Sequence, residues 1–112
     1  MSDLTAKRCK PCEGGVAPLT AQQATAQMSA LSPDWRLSAD TRSLTREFTF
    51  RDFYRTMSFV NALAHVANIE DHHPDLEAGY NYCRVSYSTH AVGGLSENDF
   101  ICAAKIDQLP VV

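Results

Sequence analysis

The chain has no apolar run approaching the roughly 20 residues that a membrane-spanning helix needs. Its N-terminus is of mixed polarity and lacks the apolar core of a signal peptide. A soluble, cytoplasmic protein with no membrane partner is the expectation. An excess of basic charge is also missing: ten Lys and Arg stand against thirteen Asp and Glu, for a formal net charge of -3. The basic residues are scattered rather than gathered into a stripe, which argues against nucleic acid as a direct ligand. Four cysteines are present, and only Cys9 and Cys12 have suggestive spacing. Cys83 and Cys102 do not supply the second close pair that a zinc ribbon requires. The Cys9-Lys10-Pro11-Cys12 segment also lies in a Lys/Pro/Gly-rich lead rather than between a strand and a helix, where a redox motif normally sits. Reduced cysteines without catalytic work are expected.

What is present is ordinary globular composition, 45% hydrophobic and 21% charged over 112 residues, enough for one domain with a modest core. Residues 1–19, with Pro11, Gly14, Gly15 and Pro18, read as an irregular arm that carries no catalysis, and residues 20–112 as a single domain. Thr20-Ala21-Gln22-Gln23 fits a capping box and opens a helix over about 21–31, ended by Pro33. Trp35–Ser38 and Leu44–Phe50 alternate as the strands of a hairpin. From Asp52 the period changes to about 3.6, with Phe53, Met57, Val60, Ala64 and Ala67 as the apolar stripe of a helix over about 51–69. Leu76–Tyr80 and Tyr82–Thr89 form a second hairpin turning near Asn81. Ser96-Glu97-Asn98-Asp99 starts a third helix that ends near Gln108. The order helix, strand, strand, helix, strand, strand, helix predicts an α+β fold: a four-stranded antiparallel sheet with three helices packed on one face. The edges of so small a sheet favour self-association, at least to a dimer.

Three of the four histidines, His72, His73 and His90, fall in one short stretch. Histidine exchanges protons near neutral pH and, when neutral, is the commonest metal ligand. Pro74 disfavours helical geometry at His73, so the second helix must end at or before the pair. At roughly 3.3 Å per residue the strand leaving Leu76 travels about 15 Å to its turn, and the longer return strand brings His90 back beside His72 and His73. Such a pocket suits proton chemistry on a small polar heterocycle. His72, at a helix C-terminus and after Glu70 and Asp71, is a candidate general acid, and His90 a candidate base. His65, inside the second helix, reads as structural or solvent-facing. Asp99 would stabilise the start of the third helix whatever else it does.

At these residues the chain resembles the pterin-4a-carbinolamine dehydratase family. The family pattern is a charged residue, three positions, His-His-Pro, an aromatic, a distant His and a later Asp. His72-His73-Pro74, Tyr80, His90 and Asp99 match it. The likeness continues through Phe59–Ala62, Gly93–Ile101 and Ala103–Asp107, and the Cys9–Gly15 arm is similar to that of bacterial members. The resemblance implies loss of water from a 4a-hydroxytetrahydropterin to give a quinonoid dihydropterin in tetrahydrobiopterin recycling, with no cofactor and no metal. It also implies proton transfer by His72 and His90, substrate binding chiefly by His73, support from Asp99, and a pocket shaped by Asp71 and Pro74. A homodimer or homotetramer, and a pterin-dependent aromatic amino acid hydroxylase as a further partner, are its other implications.

The chain departs from the pattern at Asn68, where the family usually has a charged residue four before the first histidine. On a helix Asn68 shares a face with His72, where it can accept a hydrogen bond but adds no negative charge to support protonation of that ring. Two other function classes use similar residues: a three-histidine metal-dependent hydrolase, and a non-catalytic binding partner of a pterin-dependent hydroxylase.

Overall fold

The structure is a computed structural model in which residues 4–11 and 17–110 are described. Cys12 and the rest of 12–16 lie outside the described residues, so the Cys9/Cys12 spacing is not illuminated by it. Seven elements follow in the expected order: α1 (Ala21–Gln27), β1 (Arg36–Leu37), β2 (Leu44–Thr49), α2 (Phe53–Glu70), β3 (Asp75–Ala78), β4 (Tyr82–Tyr87) and α3 (Glu97–Asp107). Three-residue 3-10 turns occur at Leu4–Ala6, Met28–Ala30 and His90–Val92.

The strands form one antiparallel sheet in the order β1-β2-β4-β3. β2 and β4 pair along their whole length, from Leu44 opposite Tyr87 to Thr49 opposite Tyr82. Period-two alternation sends Leu44, Phe48, Cys83, Val85 and Tyr87 to one face, where all are buried. Ala24 of α1, Phe59 and Leu63 of α2, and Phe100, Ile101 and Ile106 of α3 complete the core on that side. The opposite face is polar, and there Arg84 pairs with both Glu47 and Glu77 across three strands. This is the α+β architecture read from the sequence, with helices on a single face of the sheet.

Caps explain most boundaries. Thr20 Oγ1 accepts from the Gln23 amide at 3.1 Å, and the Gln23 side chain accepts from the Thr20 amide at 2.9 Å, the reciprocal pair of a capping box. α1 stops at Gln27 rather than near 31, because Pro33 forces Ser32 out of helical geometry and the last turn tightens to 3-10. Asp52 serves as the N-cap of α2, its carboxylate accepting from the Arg55 amide at 3.0 Å, so the helix begins at Phe53 rather than at 51.

The buried stripe of α2 differs from the apolar one expected. Thr56, Phe59, Leu63, Ala67 and Glu70 face the core, while Phe53 is 48% exposed and Met57, Val60 and Ala64 are only half-buried. Two polar residues, which an apolar template passes over, sit at the ends of the true stripe because each has partners. Thr56 Oγ1 donates to the Asp52 and Tyr80 carbonyls, and Glu70 is held in ion pairs with Arg8 and Lys105.

The end of α2 positions everything that follows. Asp71 takes the left-handed conformation, φ 51° and ψ 43°, with its amide donating to the Asn68 carbonyl at 3.3 Å and the His72 amide to the Ala67 carbonyl at 3.1 Å. This is a Schellman-type ending with aspartate where glycine is usual. It turns His72 off the helix axis before Pro74 leads into β3.

Candidate active site

A cavity of about 630 Å3 opens where the end of α2, the β4–α3 connection and the N-terminal arm meet. Asp71, His72 and His73 line it from α2; Ser88, Thr89 and His90 line it from the end of β4 onward; Arg8 to Pro11 and Asn98 close the remaining side. All three clustered histidines therefore share one cavity, as the unequal hairpin requires. His90 and His73 are exposed, and His72 is half-buried.

His72 is the most constrained of them. Its Nε2 lies 2.6 Å from Asp99 Oδ1, and its ring stacks on Tyr87 with centroids 5.4 Å apart and planes 13° from parallel. Asp99 is fully buried. Its second oxygen accepts from Thr89 Oγ1 at 2.7 Å and from the Ser96 amide at 2.9 Å. The carboxylate thus caps α3 and orients an imidazole at once, each oxygen serving a different end. Burial alone would push the His72 pKa down, but the Asp99 hydrogen bond and charge outweigh it and hold the pKa above the ordinary histidine value, with Asp71 contributing last. The hydrogen bond occupies Nε2 and leaves Nδ1 as the remaining ring donor.

The structure corrects the expectation about Asn68. Because Asp71 turns the chain out of the helix, positions 68 and 72 do not share a helical face. Asn68 Oδ1 instead lies 3.0 Å from His73 Nε2, so it orients the second histidine while the negative charge beside the first comes from α3. Glu70 does not serve His72 either. Its buried carboxylate accepts from the Cys9 amide at 2.7 Å and from Lys105 Nζ at 2.8 Å, and pairs with Arg8 at 2.9 Å. Burial penalises that charge, yet these donors together hold its pKa below the usual carboxylate value. Tyr80, part of the family pattern, is 65% exposed and lies outside the cavity lining.

Three contributors were missed by reading the sequence. Thr89 steadies Asp99, Tyr87 backs the His72 ring, and the arm residues 8–11, assigned no catalytic part, form a wall of the cavity. Thr89 sits beside His90 and could have been suspected on adjacency; nothing local marks Tyr87 or Arg8.

Comparison with known proteins supplies the family. The family model described as Pterin 4 alpha carbinolamine dehydratase matches residues 17–109. A Nitrosomonas eutropha protein named "Putative pterin-4-alpha-carbinolamine dehydratase" is 58% identical over 107 residues, covering 96% of this chain and 93% of its own. A Legionella pneumophila protein of the same name is 56% identical over 110 residues, covering 98% and 97%. Among solved structures, a transcriptional coactivator/pterin dehydratase from Brucella melitensis superposes with a TM-score of 0.74 at 31% identity, over 80% of this chain and 94% of that one. A pterin dehydratase-like protein identified as a RuBisCO assembly factor in the alpha-carboxysome shares the fold, with a TM-score of 0.58 at 24% identity over 66% of this chain and 86% of that one. With the match spanning most of its length, the chain belongs to the pterin 4 alpha carbinolamine dehydratase family.

Proposed function

We propose that this chain dehydrates a 4a-hydroxytetrahydropterin in tetrahydrobiopterin recycling, by acid-base catalysis between His72 and His90. The observation that carries the reading is the 2.6 Å contact between His72 and the buried Asp99 at the wall of a cavity that also holds His73 and His90. A carboxylate in that position favours the protonated imidazole. His72 then delivers a proton to the departing 4a-hydroxyl, which leaves as water, while His90 takes a proton from a ring nitrogen and the quinonoid dihydropterin forms. Solvent exchange returns each imidazole to its starting state. His73, oriented by Asn68, binds the substrate, and Asp71 and Pro74 shape the floor on which the pair stands. The chemistry needs neither cofactor nor metal, and activity insensitive to a chelator separates it from a three-histidine metal hydrolase.

The reading is tested with 4a-hydroxytetrahydropterin generated in situ and the dehydration followed directly. His72→Ala and His90→Ala should each lose about 10²- to 10⁴-fold in rate, the usual worth of a positioned acid or base. Full activity in both variants would overturn the catalytic assignment and leave a binding role, such as association with a pterin-dependent hydroxylase. Self-association to at least a dimer belongs to the same reading, as does action in the cytoplasm.

A further inference from the structure

The acid-base reading makes no use of Cys9 and Cys102, whose sulfurs lie 3.5 Å apart. They are 93 positions apart in the chain, one on the arm and one inside α3. Cys9 is half-buried and lines the cavity, while Cys102 is wholly buried behind it. A small solute in the cavity therefore reaches the pair from the Cys9 side only. The backbone on both sides is already held. The Cys9 amide donates to Glu70 at 2.7 Å, and Asn98, one turn before Cys102, exchanges hydrogen bonds with Lys10, donating to its carbonyl at 2.6 Å and accepting from its amide at 3.0 Å. Cys102 Sγ also faces the His72 carbonyl at 4.0 Å.

We propose that Cys9 and Cys102 are a peroxide-sensitive dithiol that closes to a disulfide, latching the N-terminal arm onto α3 at the wall of the cavity. The Cys9 thiolate, on the sulfur that a solute in the cavity can reach, attacks the hydroperoxide, breaking its O–O bond, becoming a sulfenic acid and releasing hydroxide, which is protonated to water. The second thiol then attacks the sulfenic sulfur, forming the S–S bond and expelling a second water. Two thiols are oxidised by two electrons and one hydrogen peroxide is reduced to two waters. Closing the pair brings the sulfurs from 3.5 Å to about 2.05 Å.

This departs from the expectation of inert cysteines, and its competitor is explicit in the sequence: Cys9 could pair with Cys12 instead. Full-length protein, reduced and freed of reductant, is treated with stoichiometric hydrogen peroxide, unfolded in urea, blocked with an alkylating agent and digested for peptide mapping. The expected product is a Cys9–Cys102 linked peptide that persists in Cys12→Ser, is absent from Cys9→Ser, and disappears on adding dithiothreitol. The oxidised protein should also melt at a higher temperature than the reduced one, since a cross-link spanning most of the chain restricts the unfolded state. Cys102→Ala serves as a second control for the pairing. A Cys9–Cys12 peptide as the main product, or Cys9 driven to sulfinic acid with Cys102 still alkylatable, would overturn the proposal.

Discussion

Asp99 carries two duties that usually fall to separate residues. One oxygen holds the start of α3 through the Ser96 amide, and the other holds the His72 ring. Asp99→Asn retains a side chain of the same shape but removes the charge that raises the His72 pKa. A general acid works only while protonated, so activity supported by His72 persists below its raised pKa and is lost as pH rises through it. In Asp99→Asn the alkaline limb of the pH–rate profile should move to lower pH. For each unit of movement, the rate well above both values should fall about tenfold. An unmoved limb would mean that another group sets it. The same shift affects stability: with the folded value above the unfolded one, the His72 contribution is complete below about pH 6.5 and disappears as pH rises through the folded value. The positions of these histidines were legible because Pro74 and the hairpin lengths are local facts. The partner of each histidine was not. The His72–Asp99 contact joins positions 27 apart, and the Asn68–His73 contact depends on a left-handed residue that no spacing rule announces.

At the scale of the element, the two ends of α2 show how far pattern reading extends. Its start was misplaced by two residues because Asp52 was counted as helix rather than cap, and its buried face was misassigned because Thr56 and Glu70 look polar in a list and are satisfied in three dimensions. Apolar periodicity finds the helix; it cannot see an ion pair made with the arm. Glu70 is 7% exposed, and Glu70→Ala should cost about 3 kcal/mol in urea unfolding by leaving Lys105 beside an empty partner site. Its depressed pKa adds a signature on the acid side. The Glu70 contribution is present above its unfolded value, about 4.5, and is lost as pH falls through the lower folded value. Glu70→Gln should therefore flatten the acid limb of the stability curve. At the C-terminal end of α2, Asp71 stands at φ 51°, where a non-glycine residue costs about 1–2 kcal/mol. Asp71→Gly should raise the urea midpoint, by an amount corresponding to about 0.5–1 kcal/mol once the greater freedom of the unfolded glycine is subtracted. Asp71→Val should lower it, because a β-branched side chain fits that conformation poorly.

For the whole molecule, the surfaces left over by this packing bear on self-association. β3 closes one edge of the sheet with all four residues exposed, Leu76 among them at 41%. β1 closes the other edge with only two residues. Along α2, Met57, Val60 and Ala64 are half-covered by the core, and beside them Tyr54 is 83% and Phe53 48% exposed. An edge strand without a partner and an apolar helix flank without a cover are each costly in water, and a second copy of the chain could satisfy both. A stable interface needs about 800 Å2 from each partner, a modest part of the 6688 Å2 of accessible surface here. Asp75 and Glu77 on β3 oppose edge-to-edge pairing of identical strands, so the α2 flank is the stronger candidate for the contact. Sedimentation equilibrium at micromolar concentration should give at least twice the chain mass of 12.4 kDa. Tyr54→Glu should move the mass toward the single chain without lowering the helix content. A wild-type protein that remains at the mass of one chain across that range would remove self-association from the account.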